Sequence, residues 1–175
     1  MRVVQIDDPN MSFFADDEFV NTSKSNNYDL EGLLDLYIKA HNDAIRDLPS
    51  DLRVGVHLCR GNFPNGIHIS EGSYEGIARK LFSELNYQYY CLEFDSPRAG
   101  GFEPLRALPA DKAVVLGLVT TKFAEMENAD ELREKVYRAA DIIAEGQKRS
   151  RAEVLRDSLA VSPQVSFILP VPKPC

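Results

Sequence analysis

The chain has 175 residues with 20 Lys+Arg against 27 Asp+Glu, a formal charge of −7, and is 44% hydrophobic and 27% charged. These proportions suit one packed domain and exclude a disordered chain, a collagen-like repeat or a coiled coil. An acidic balance with scattered Lys and Arg offers no basic stripe for a phosphate backbone, so nucleic acid is not an expected partner.

The opening residues, MRVVQIDD, lack the long apolar stretch of a secretory signal. The longest aliphatic run, residues 113–119, is far too short to cross a bilayer, so no membrane partner and a cytoplasmic location are expected. The cysteines Cys59, Cys91 and Cys175 cannot all pair within the chain, show no CxxC spacing and fit a reducing compartment.

Residues 3–6 read as a short β-branched strand ended by Asp7, Asp8 and Pro9. Residues 10–27 mix acids, Asn and Ser with a few phenylalanines and predict a loop, with Asp16, Asp17 and Glu18 a solvated turn. The period then becomes helical. Leu30, Leu33, Leu34, Tyr37, Ile38, Ile45 and Leu48 predict a long amphipathic helix between an Asp29 N-cap and a Pro49 stop. Residues 53–58 (RVGVHL) are a second strand, 74–85 a helix and 89–94 a third strand. A loop with Pro97, Gly100 and Gly101 leads to a short helical turn at 103–108, and residues 113–119 form a strand of the type buried on both faces. Leu132, Val136, Ala139, Ala140 and Ile143 mark a last helix starting near Asp130, before a weak strand at 159–161.

Strands alternating with helices predict an α/β fold with a parallel sheet, either doubly wound or part of an (α/β)₈ barrel. No GxGxxG or GxxxxGK[ST] occurs, so dinucleotide and P-loop chemistry have no support. In a barrel the reactive residues sit at the C-terminal ends of strands. His57 and Cys59, two residues apart at such an end, leave the same face with Cα atoms roughly 6.5 Å apart. Glu93 holds the same place on the next strand. A nitrogen, a sulfur and an oxygen with an open position is the pattern of catalytic zinc; a core histidine, a buried thiol and a capping glutamate is the plainer reading. His41 and His68 read as solvated, and Arg98 as a loop cation or as a contact to an anionic substrate.

The stretches VVQIDDP, VHLCRGNF, YYCLEFDSPRAGGFEPLRALP, VVLGLVTTK and LAVSPQ, in that order, resemble the catalytic domain of cobalamin-independent methionine synthase and its single-domain relatives. The resemblance implies a (β/α)₈ TIM-type barrel of the kind shared with uroporphyrinogen decarboxylase, of which this chain supplies about five of eight strands. It implies Zn²⁺ held by His57, Cys59 and Glu93, with Asp7 binding the amino group of an amino-acid substrate. The implied reaction moves a methyl group from 5-methyltetrahydropteroyl-polyglutamate to the thiolate of homocysteine. A carboxylate at a strand end is a sound partner for an ammonium, and a turn-forming acid is the alternative.

Two departures accompany the resemblance. Where the family carries a fourth ligand, a cysteine, this chain has Val165, with Cys91 and the weaker Cys175 as conceivable substitutes; where the larger synthases have a histidine, it has Thr120, Thr121 and Lys122. The match stops at Gln164, so residues 1–164 are expected to be a partial barrel domain and 165–175 an irregular Pro-rich tail, the pattern of a truncated gene product. A sheet short of closure has two open edges, which predicts self-association and leaves two further readings: an inactive fragment acting by association, or methyl transfer to another thiol.

Overall fold

Five segments rich in β-branched and aromatic residues form one parallel sheet: β1 (Arg2–Asp7), β2 (Leu52–Leu58), β3 (Tyr89–Glu93), β4 (Ala113–Val119) and β5 (Leu159–Pro163). The computed structural model describes residues 2–61, 67–121 and 126–163. Neighbouring strands are consecutive in the chain, in the order β1-β2-β3-β4-β5, and every pairing is parallel. A doubly wound sheet reverses its order at a switch point, and this one does not. Of the two arrangements open at the sequence level, the partial barrel is therefore the one formed.

The connecting helices are α1 (Asp17–Ser25), α2 (Leu30–Ile45), α3 (Ala78–Glu84), α4 (Ala129–Gln147) and α5 (Arg151–Asp157). Short 3₁₀ turns lie at Met11–Ala15, Tyr74–Gly76, Pro97–Ala99 and Glu103–Ala107. One buried cluster joins sheet to helices: Val54, Val56, Leu58, Tyr90, Leu92, Val114, Leu116 and Leu118 meet Leu34, Ile38, Leu81, Phe82, Ala140, Ile143 and Val154. Each large side chain buried there contributes about 1.5–3 kcal/mol. Among the described residues no helix is long and apolar enough to cross a membrane.

The boundaries of β4 and the Asp29 cap match expectation; Asp29 accepts a hydrogen bond from the Gly32 N–H at 2.9 Å. Three local readings are corrected. Residues 10–27 contain a 3₁₀ turn and α1 rather than a loop, because Asp16 is buried and not solvated. Its carboxylate caps α1 through the Phe19 N–H (3.0 Å) and takes the Glu71 N–H at 2.8 Å, while Phe14 packs edge-on against Phe19 and Tyr37. The cap of α4 is Asn128, which accepts from the N–H groups of Asp130 and Glu131. Helix α5 was not anticipated, although Ser150 and Glu153 spell a capping box that the structure forms. Finally, β4 is more deeply buried on one face: Val114, Leu116 and Leu118 are covered, whereas on the other side Val115 and Val119 are only half-buried around a buried Gly117. The helices pack against the first face, and the second remains partly wet.

The two edge strands carry exposed apolar side chains, Val3, Val4 and Val161, each more than two-fifths accessible. Residues 164–175, including Val165 and Cys175, and Lys122 lie outside the described residues.

Candidate metal centre

Parallel pairing places Asp7 of β1 opposite His57 of β2, so both side chains reach the same C-terminal rim of the sheet. His57 is almost fully buried, and Glu93, the last residue of β3, is completely so. The imidazole lies between two carboxylates. Its Nδ1 is 2.7 Å from Asp7 Oδ1, and its Nε2 is 3.3 Å from Glu93 Oε1. Cys59 follows the end of β2 and is half-exposed. Its Sγ accepts the Gly61 N–H at 3.4 Å, a contact that Gly61 makes from φ 88°, in the left-handed region that favours glycine.

Among the described residues, donor atoms of Asp7, His57 and Cys59 all lie within 4.8 Å of one another. Glu93 touches the ring from the opposite side, at Nε2 rather than Nδ1. The two contacts differ in kind. The Nε2 contact with Glu93 has the geometry of a hydrogen bond, whereas the 2.7 Å approach of Nδ1 to Asp7 is a close ring–carboxylate contact. Of the expected ligands, the structure thus groups His57 and Cys59 with Asp7, while Glu93 lies outside that group, against the other nitrogen of the ring.

The rest of the rim holds these groups in place. Glu93 Oε2 receives Arg98 Nη2 at 2.8 Å, and the same nitrogen is 3.2 Å from Asp95 Oδ1. The Tyr74 hydroxyl accepts the Glu93 N–H at 3.2 Å and Arg60 Nε–H at 3.1 Å, while the Arg60 guanidinium lies 4.3 Å from the Tyr74 ring centroid. Burial raises the Tyr74 pKa, so its hydroxyl stays neutral.

Cys91 is not a member of the described donor group. It is paired with His57 in the β2–β3 register, is buried, and gives its S–H to Gln5 Oε1 at 3.3 Å. Burial pushes its thiol up to about 12, the character of a core thiol rather than a ligand.

His41 is not solvated as the sequence suggested. It is half-buried in a chain with Asp8 and Tyr87, with Nε2 2.8 Å from Asp8 Oδ2 and Nδ1 2.7 Å from the Tyr87 hydroxyl. Asp8 Oδ1 also accepts the N–H groups of Asn10 and Met11. His68 lies 3.2 Å from Glu71. The His41 set was not visible at the sequence level, since its members lie far apart in the chain. Arg98 carried a signal that was left open: a lone arginine in a tight turn just after two acids on the same strand end.

Fold and rim together define a partial (β/α)₈-type barrel with a candidate metal site at the C-terminal ends of its strands. Over 95% of its length the chain is 36% identical to the uncharacterized protein YxjG of Bacillus subtilis and 34% identical to its YxjH, and it spans only 41% of each of those curated relatives. The structure is similar to the crystal structure of a candidate vitamin-B12-independent methionine synthase from Listeria monocytogenes. There the TM-score is 0.64 and the identity 27%, over 91% of this chain and 40% of that one. No protein-family model matches the chain.

Proposed function

We propose that this chain carries the methyl-transfer chemistry of a methionine synthase: a methyl group passes from 5-methyltetrahydropteroyl-polyglutamate to the thiol of homocysteine, with Zn²⁺ as cofactor. The supporting observation is that Asp7, His57 and Cys59 bring donor atoms within 4.8 Å of one another at the C-terminal rim of the sheet. His57 and Cys59 would hold the zinc together with a carboxylate of the rim, and a bound zinc ion would keep a coordinated thiol deprotonated and nucleophilic near neutral pH. The likeness to the Listeria structure supports the same assignment.

The chain's own groups divide the remaining work. Asp7 is 60% exposed at its side chain, so a substrate ammonium reaches its carboxylate from solvent while Oδ1 keeps its hold on His57. The complete burial of Glu93 keeps water from its carboxylate. Where the larger synthases carry a histidine, the Thr120 N–H is bound by Glu127 Oε1 at 2.6 Å, and no described group is assigned as the acid that protonates the leaving nitrogen.

The test is zinc content. Purified chain is expected to retain one zinc per molecule by atomic emission, and His57→Ala and Cys59→Ala variants that keep wild-type circular dichroism are expected to lose it. Zinc-free wild-type protein at neutral pH refutes the reading. The exposed apolar side chains of β1 and β5 favour a second reading, association through the sheet edges, which a monodisperse monomer in light scattering would contradict.

A further inference from the structure

Glu93 and Asp7 meet the His57 imidazole from opposite sides and in different surroundings. The Glu93 carboxylate is 0% exposed and both its oxygens are engaged: Oε1 lies 3.3 Å from Nε2 with hydrogen-bond geometry, and Oε2 takes an Arg98 Nη2–H at 2.8 Å. Arg98, only 7% exposed, also reaches Asp95, and the Glu93 N–H is held by the Tyr74 hydroxyl. A metal ion taking either oxygen would displace a buried contact and leave its partner unmatched. Asp7 is the reverse case. Its side chain is 60% exposed and its Oδ1 is 2.7 Å from Nδ1. Its carboxylate, the imidazole and the half-exposed Cys59 thiol bring donor atoms within 4.8 Å of one another.

Facing a guanidinium, the Glu93 carboxylate is an acceptor, so the Nε2 contact assigns the ring proton to Nε2 and leaves the lone pair on Nδ1, the nitrogen turned toward Asp7. Metal-ligating histidines commonly give their other ring N–H to a carboxylate in this way. We infer that a metal ion at this rim is held by His57 Nδ1 with Asp7 and Cys59, and that Glu93, braced by Arg98, is a positioning residue that fixes the imidazole through Nε2. This rests on the zinc reading above and deepens it, choosing Asp7 over Glu93 as the carboxylate of the ligand set. The ion then lies on the exposed side of the ring, where a substrate thiol can reach it.

The experiment reads the His57 ring by long-range proton–nitrogen correlation NMR of isotope-labelled protein at pH 8, with and without zinc, the signals being assigned by their loss in His57→Ala. Zinc-loaded wild type is expected to show a metal-bound Nδ1 and a protonated Nε2. A metal-bound Nε2, or a ring protonated on both nitrogens with zinc present, overturns the inference while leaving zinc binding standing. Wild-type protein that binds no zinc overturns both. In metal-free Glu93→Gln the ring proton is expected to pass toward Nδ1, where Asp7 accepts it; a proton that stays on Nε2 refutes the positioning role. In competition with a chromophoric chelator, Glu93→Gln is expected to weaken zinc binding about 10- to 100-fold, as loss of an orienting carboxylate does, and Asp7→Asn by a larger factor. The opposite order refutes the ligand set. If Glu93→Gln does not fold, the zinc-loaded wild-type spectrum decides by itself.

Discussion

Gly55 of β2 sits directly opposite Tyr89 of β3, and the Tyr89 ring crosses over it to donate its hydroxyl hydrogen to the Val4 carbonyl of β1 at 2.8 Å. A Cβ at position 55 would lie 2.2 Å from Tyr89 Cε2 and 2.3 Å from Cζ, inside any real contact distance. Gly55→Ala must therefore either push the buried ring aside, losing the hydrogen bond that pins the edge strand, or spread the sheet. Overpacking costs about 1–3 kcal/mol, and the lost hydrogen bond about 1 kcal/mol more. The sum, about 2–4 kcal/mol, corresponds to a fall in Tm of roughly 5–15 °C for a domain of this size. Urea and thermal melts of Gly55→Ala, Tyr89→Ala and the double variant measure it. With the ring gone the clash has no object, so the double variant should be scarcely less stable than Tyr89→Ala, giving a coupling of at least about 1 kcal/mol. A Gly55→Ala protein within about 0.5 kcal/mol of wild type, or single effects that simply add, would refute the reasoning.

Two further predictions concern buried ionisable groups. Burial opposes the Asp8 charge, but the hydrogen bonds from His41 and from the Met11 and Asn10 N–H groups outweigh it and hold the carboxyl below its ordinary value. A depressed carboxylate stabilises the fold above its unfolded pKa of about 3.9 and loses that contribution as pH falls toward the folded value. The Tm gap between wild type and Asp8→Asn should thus be full at pH 6 and shrink below pH 4; a gap independent of pH would disprove the assignment. With Cys91 buried and its thiol at about 12, iodoacetamide at pH 8 should label half-exposed Cys59 first and Cys91 only after denaturation, as read by peptide mass mapping. Equal labelling rates in the folded protein would contradict this.

Much of the fold could be read directly because its signals are local. Periodicity and caps marked α2, and a continuous run of Ala, Val, Leu and Gly marked β4. The loop reading of residues 10–27 failed because the decisive fact, Asp16 buried against the Glu71 N–H, joins residues 55 apart in sequence. The candidate site divides along the same line. His57 and Cys59 could be paired from their i, i+2 spacing alone, whereas Asp7, the third member of the donor group, was expected to bind substrate rather than a metal.

The amino-acid order by itself thus determined which side chains stand at strand ends and on which face, since a strand's period of two is a property of the backbone. Only the tertiary structure decided that the winding runs in one direction without reversal, that Asp7 and Glu93 grip opposite nitrogens of one imidazole, and that Arg98 folds back under Glu93. Those are matters of register and loop path. They are set by the packing of residues distant in sequence, which no local pattern encodes.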